Sequence, residues 1–274
     1  LSFELFSLVL HNRISLMNDH PVSLVTGASR GIGSAIVQSL AALGHAVLVN
    51  YRQDQKSAAA VVAEIVKAGG HAVAVQGDVG CGEDRQRLIA EALNRFGRLD
   101  VLVNNAGITS PGRLDLLDAT EASWDTVFAT NLKGPFFLSQ QAALAMRQQI
   151  RDEKITGGKI INISSLSSYT VSTDRADYCL TKAAMGMMTK LFGWRLAEEK
   201  IQVFELCPGI IDSDMTSPVK EKYDRLISAG LMPIRRWGNP EDVAKAVVAI
   251  VSECFPFSTG ERINIDGGFH IRSI

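Results

Sequence analysis

Tyr178 and Lys182 stand four residues apart in the run Asp177-Tyr178-Cys179-Leu180-Thr181-Lys182, a spacing that brings both side chains onto one face of a helix. A phenol is a poor acid or base near neutral pH, because its reference pKa is about 10. An ammonium held beside it favours the phenolate and brings proton transfer within reach. Spacing of this kind is a common coincidence and needs corroboration. Ser164-Ser165, directly after the apolar run 159–163, supplies it. Ser165 lies thirteen residues before Tyr178, and its hydroxyl can hold a carbonyl oxygen and the negative charge developing on it. Ser164, Ser167 and Ser168 read as an ordinary polar turn.

A second cluster is suited to binding. Thr26-Gly27-Ala28-Ser29-Arg30-Gly31-Ile32-Gly33 follows a short apolar run and opens a helical stretch reaching about Leu43. Glycines there permit a tight turn in which backbone N–H groups approach a pyrophosphate at the positive end of the helix dipole. The Gly-x3-Gly-x-Gly spacing differs from Gly-x-Gly-x-x-Gly, but its place after the first strand points to nucleotide binding. The next apolar run ends in Asn50-Tyr51-Arg52, with no acidic residue to bind both ribose hydroxyls and repel a 2′-phosphate. Arg52, together with Arg30 in the glycine loop, therefore favours NADP(H) over NAD(H).

These residues need a scaffold, and the pattern from Val22 onward provides one. Short, nearly all-apolar runs at 22–25, 46–50, 72–76, 101–104, 159–163, 202–206 and 262–265 alternate with helical stretches such as 58–68, where Val61, Val62, Ile65 and Val66 share a side. Runs of this kind are expected of parallel strands buried on both faces. Right-handed crossovers then give an α/β fold, a single doubly wound domain with a seven-stranded, mostly parallel sheet and helices on both faces. The boundaries read as an N-terminal extension over 1–20 and one domain over 21–274. The first sixteen residues are moderately apolar but lack the basic stretch and small-residue cleavage site of a signal peptide. Met17 reads as standing near the natural start, with a surface-packed amphipathic helix as the alternative for the preceding segment.

Composition excludes several functions. With 28 Lys+Arg against 29 Asp+Glu, the net charge of −1 gives no footprint for nucleic acid. No uninterrupted apolar window suits a membrane span. The four cysteines, Cys81, Cys179, Cys207 and Cys254, have no CxxC spacing and the five histidines no HExxH, so neither a disulfide framework nor a metal site is expected. A cytoplasmic location with reduced thiols is the default.

Read in order, Thr26-Gly27-x3-Gly31-x-Gly33, Asp78, Asn104-Asn105-Ala106-Gly107, Asn131, Ser165, Tyr178-x3-Lys182 and Pro208-Gly209 resemble the short-chain dehydrogenase/reductase family over essentially all of 22–270. The resemblance implies a Rossmann fold and an enzyme passing a hydride between a nicotinamide cofactor and a carbonyl or secondary alcohol. It implies that Tyr178 transfers the proton and that Lys182 binds the nicotinamide ribose and lowers the phenol's pKa. Ser165 then holds the substrate oxygen, and Asn131 positions a water beside Lys182. Asp78 and Val79 correspond to adenine contacts, while Asn104, Ala106 and Gly107 line the adenosine ribose. Gly27, Ser29, Arg30, Gly31, Ile32, Gly33, Tyr51 and Arg52 form the remaining nucleotide wall, and after the cofactor-binding Pro208 and Gly209, Ile211 and Ser213 hold the carboxamide. Asn131 has a second reading as a helix cap or kink, and Asn104-Asn105 as a tie between strands.

The segment from Pro208 to about Gly238 covers the substrate in such enzymes. Its Met215, Val219, Tyr223, Leu226, Ile227, Leu231 and Met232 suit an acyl or hydrophobic carbonyl substrate, or simply pack the segment down. Asp212-Ser213-Asp214-Met215-Thr216 and Ile265-Asp266-Gly267-Gly268 look like bacterial 3-oxoacyl-(acyl carrier protein) reductases. Two features depart from them: Glu198-Glu199-Lys200 stands where an arginine for the carrier protein is common, and the stretch 149–158 is longer. The expected partner is thus a small-molecule or acyl-thioester carbonyl substrate, with a sugar, polyol or other small-alcohol dehydrogenase as the alternative. A non-catalytic nucleotide sensor is a remote third reading, because such a protein would be free to lose Tyr178 or Lys182. The resemblance also implies a homotetramer packed through helices at about 123–151 and 176–198 and through the final strand.

Overall fold

The computed structural model describes residues 20–213, 216–217 and 220–272. Residues 1–16, Met17, Asp214, Met215 and Val219 therefore lie outside the described residues. The elements are β1 (Val22–Val25), α1 (Gly31–Ala42), β2 (Ala46–Tyr51), α2 (Gln55–Lys67), β3 (His71–Gln76), α3 (Gly82–Phe96), β4 (Val101–Asn104) and α4 (Glu121–Phe128). After α4 come a π-helical turn (Ala129–Lys133), α5 (Gly134–Arg151), β5 (Gly158–Ile163), α6 (Ala176–Leu196), β6 (Ile201–Pro208), α7 (Lys220–Ser228), α8 (Pro240–Val251) and β7 (Glu261–Ile265). The expected strands are present, displaced by at most two residues at an end. One difference is the stretch expected as a single helix from about 123 to 151, which is broken by the π turn around Asn131.

The strands form one sheet in the order β3-β2-β1-β4-β5-β6-β7, with every pairing parallel. Alternation along each strand divides the core between the two faces. Leu24, Leu48, Leu102, Ile160 and Val203 lie in register and point toward Leu88 of α3 and Leu138 and Met146 of α5. Their neighbours Val25, Val49, Val103, Ile161 and Phe204 point the other way, toward Ile36 and Leu40 of α1 and Val243 and Val247 of α8. Each fully buried side chain of this size stabilises the fold by about 1.5–3 kcal/mol. This core holds the carboxyl ends of β1 and β4 side by side at the point where strand order reverses, and a ligand crevice opens there in folds of this kind.

Candidate active site

A cleft of about 720 Å³ runs along the carboxyl ends of six strands, lined by residues that directly follow β1 through β6. Its nucleotide end is shaped by backbone. Gly27 and Gly31 have φ of +61° and +55°, a region that a β-carbon disfavours, and a β-carbon on Gly33 would lie 2.4 Å from the Gly27 carbonyl oxygen. The loop therefore closes tightly onto the start of α1, whose first turn has no acidic residue and no capping side chain. Those N–H groups point to an anion. Cross-links hold the loop to its neighbours: Asn105 Nδ2 donates to the Thr26 and Gly27 carbonyls at 2.9 and 3.0 Å, and Gly27 N donates to Asn50 Oδ1 at 3.1 Å. The glycine spacing, the open helix end and the cleft's length fit a dinucleotide.

Around this end the cleft is lined by Gly27, Ser29, Arg30, Gly31, Ile32, Gly33, Tyr51, Arg52, Asp78, Val79, Ala106 and Gly107. Arg52 Nη1 lies 3.8 Å from Asp78 Oδ2, with both side chains partly exposed. Asp54, which the sequence reading passed over, also lines the cleft. It caps α2 by accepting from Ser57 N at 3.0 Å, and this hydrogen bond is the main reason its pKa lies below the usual carboxylate value. Asn104 does not line the cleft. Its amide donates to Ser139 and Asn162 within a fully enclosed network at 2.8 and 2.9 Å, the tie between strands that was its second reading.

At the other end, Ser165, Tyr178 and Lys182 share the cleft wall with Pro208, Gly209, Ile211 and Ser213. The Tyr178 side chain is only 6% exposed. Burial pushes its phenol above the ordinary value, moderated by a hydrogen bond with the Ser165 hydroxyl. Ser165 is fixed in turn by accepting from Ser167 N at 3.1 Å. Lys182, one turn along α6, donates to the Ile163 carbonyl at 2.9 Å and stands 5.7 Å from the centre of the Tyr178 ring. Burial pushes its ammonium down to about 8, with Glu205 acting in the opposite direction. The lysine was expected to lower the phenol's pKa. The groups that lower it here are Ser165, Arg175 and Arg113, and burial outweighs them, so Tyr178 carries its proton at neutral pH.

Asn131 is fully buried beneath this site and does not line it. Its side chain closes both hydrogen bonds of Ile108, accepting from N at 2.9 Å and donating to O at 2.8 Å, and so ties the π turn to the loop after β4. A β-carbon on Gly107 would sit 3.4 Å from Asn131 Oδ1 and 3.5 Å from Lys182 Nζ, which shows how closely the two polar groups approach. Asp177, beside the tyrosine, accepts from Ser110, Ser123 and the Tyr178 backbone N–H. The sequence reading also missed two cleft residues, Arg113 and Arg175. Arg175 lies three positions before Tyr178, a nearness that could have been read; Arg113 had no signal. Among the described residues no group of three or more His, Cys, Asp or Glu could hold a metal ion, and no helix is long and apolar enough to cross a membrane.

Comparison with known proteins gives a consistent family. The profile described as enoyl-(acyl carrier protein) reductase matches residues 27–270. The chain is 37% identical over 250 residues to a 3-oxoacyl-(acyl-carrier-protein) reductase of Staphylococcus epidermidis, covering 91% of this chain and 98% of that one. It superposes on a 3-oxoacyl-(acyl-carrier protein) reductase of Brucella melitensis solved in complex with NAD, with a TM-score of 0.88, 37% identity, and 93% and 99% of the two chains covered. A putative gluconate dehydrogenase of Agrobacterium tumefaciens gives a TM-score of 0.85 at 31% identity, over 92% and 97% of the two chains. With a tyrosine, serine and lysine gathered at the end of a dinucleotide cleft, and relatives alike along their whole length, the chain belongs to the short-chain dehydrogenase/reductase family and is an oxidoreductase of carbonyl and hydroxyl groups.

Proposed function

We propose that the chain is an NADP(H)-dependent reductase of carbonyl compounds that uses Tyr178 as the proton donor. The observation that carries this reading is a buried phenol with Ser165 and Lys182 beside it, in the same cleft as an open helix end. Gly27, Ser29, Gly31, Ile32 and Gly33 would receive the pyrophosphate, and Ile211 and Ser213 the carboxamide. Asp78, Val79, Ala106 and Gly107 would receive the adenosine. When bound, the cofactor supplies a hydride, so that carbonyl, NADPH and H⁺ become alcohol and NADP⁺. Tyr178 and Ser165 hold the substrate oxygen between two hydroxyls, and Tyr178 gives up its proton as negative charge develops there. The Lys182 ammonium holds the nicotinamide ribose and stabilises the phenolate left behind. Asn131 acts at one remove, by fixing the backbone at Ile108 and the floor beside Lys182.

Arg30 and Arg52 support the preference for NADP(H), because both line the adenosine end, where a 2′-phosphate is a dianion seeking guanidinium donors. The names of the relatives support 3-oxoacyl thioesters as substrates. A second reading, a small hydroxy compound, is favoured by Glu199, whose carboxylate is engaged by Arg147 and Arg195 where 3-oxoacyl-(acyl carrier protein) reductases commonly carry a carrier-binding arginine. The free cysteines Cys81, Cys179, Cys207 and Cys254 suit the reducing cytoplasm. An apolar groove between α4, α5 and α6, exposing Phe136, Phe137, Met187 and Leu191, supports self-association to a tetramer. The test is a screen of 3-oxoacyl thioesters, diketones and keto-sugars against both reduced cofactors. NADPH should be oxidised faster than NADH with at least one of them, and binding of NADPH without turnover on any would leave only a nucleotide-binding protein.

A further inference from the structure

The two ends of the cleft differ in charge in a way the hydride-transfer reading does not use. At the nucleotide end arginine and carboxylate mix, with Arg52 3.8 Å from Asp78 and the charge of Arg30 felt by Asp54. Those two aspartates are the carboxylates among the described residues lining the cleft. The wall also carries Arg113 and Arg175, whose charges act on the Tyr178 phenol. Arg113 comes from the loop after β4 and Arg175 from the 3₁₀ turn Thr173–Arg175 that leads into α6, so two elements far apart in sequence each bring a guanidinium group to the cleft wall, near enough for both charges to act on Tyr178. The Arg175 guanidinium carbon lies 5.5 Å from the centre of the Tyr178 ring. Arg113 has φ of +47° immediately after Gly112, a left-handed conformation that costs an L-residue about 1–2 kcal/mol. Two further carboxylates stand behind the wall. Asp174 accepts from Ser172 and feels both arginines, and Asp177 is held by Ser110, Ser123 and Tyr178 N; neither lines the cleft.

We propose that Arg113 and Arg175 form an anion subsite beside the reacting carbon, and that the substrate is an oxo-acid, or the corresponding hydroxy-acid, whose carboxylate lies within a few bonds of that carbon. This rests on the reading of Tyr178 as proton donor and narrows its substrate. Arg175 packs against the ring that delivers the proton, so an anion it receives belongs to the short skeleton of the reacting molecule itself. The phosphate of a carrier-linked pantetheine arm stands at the far end of that arm, too many bonds away to be that anion. Guanidinium forks pair with a carboxylate through two parallel hydrogen bonds, which orients the molecule as well as holding it. The same positive charge favours the alkoxide that develops next to Tyr178.

The test compares acetoacetate, levulinate and a keto-sugar acid, each beside its methyl ester, by kcat/KM with saturating NADPH. For at least one pair the wild-type protein should prefer the acid, and Arg175→Gln and Arg113→Gln should each lower that acid-to-ester ratio by about tenfold or more, with partial recovery in Arg175→Lys. Esters reduced as well as acids by the wild-type protein overturn the subsite and leave the reductase reading standing. So does an equal loss for acid and ester in both variants. For Arg175 that equal loss, with an altered pH profile for the ester, means that the guanidinium acts on Tyr178 and not on substrate. If no acid, ester, thioester, diketone or keto-sugar oxidises NADPH, the reductase reading falls and the subsite with it.

Discussion

The nucleotide end and the catalytic end of the cleft are built by different means. The first is largely backbone: three glycines, the open start of α1, and amide cross-links from Asn50 and Asn105 that fix the loop to neighbouring strands. The second is side chains delivered by separate elements, with Ser165 after β5, Tyr178 and Lys182 on α6, Arg175 before it and Arg113 from the β4 loop. Backbone donors keep their strength whatever surrounds them. Side chains take theirs from the environment, and here burial raises the Tyr178 phenol and lowers the Lys182 ammonium to about 8. A cofactor shared by many enzymes can be held by the first kind of wall, while the individual chemistry is set by the second.

Changes at the two ends should therefore separate binding from turnover. Tyr178→Phe removes the proton donor at the catalytic end, and turnover should fall by about 10²–10⁴-fold while NADPH affinity, measured by fluorescence titration, stays nearly constant. Equal losses of both would merge the two ends. At the nucleotide end, replacing Arg30 and Arg52 together by Ala should weaken NADPH by about 10–100-fold, the range for charge-assisted hydrogen bonds, with little change for NADH. An equal loss for both cofactors would make these arginines ordinary surface charges.

The smallest effect is in pH. Lys182 carries its positive charge below about pH 8 and loses it above, and the raised phenol remains protonated through neutrality. Reductive kcat/KM should be level near neutrality and decline several-fold as pH rises through about 8. The oxidative direction, in which Tyr178 must accept a proton, should rise with pH. A reductive profile that climbs above pH 8 would contradict the assignment of both groups.

The fold was legible because parallel strands buried on both faces are short apolar runs with little else to mimic them, and because the glycine loop and the Tyr-x3-Lys pair are local patterns. What escaped depended on tertiary structure. Asn104 and Asn105 are adjacent, yet one turns into the enclosed network with Asn162 while the other ties down the phosphate loop; strand composition does not tell which neighbour faces which way. Arg113 and Arg175 end short 3₁₀ turns in the connections between the long elements, so no periodicity announces them. The burial of the Tyr178 phenol also escaped, because the four-residue spacing specifies a neighbouring charge but not the depth of burial that competes with it.

The most direct test of the central claim is to run the best carbonyl substrate of the screen with NADPH carrying deuterium at the transferable C4 position, and to locate the label. The account predicts deuterium on the carbinol carbon of the product, one atom for each NADPH oxidised, with the hydroxyl proton coming from solvent. Label lost to water, or NADPH consumed without labelled alcohol, would contradict hydride transfer in this cleft.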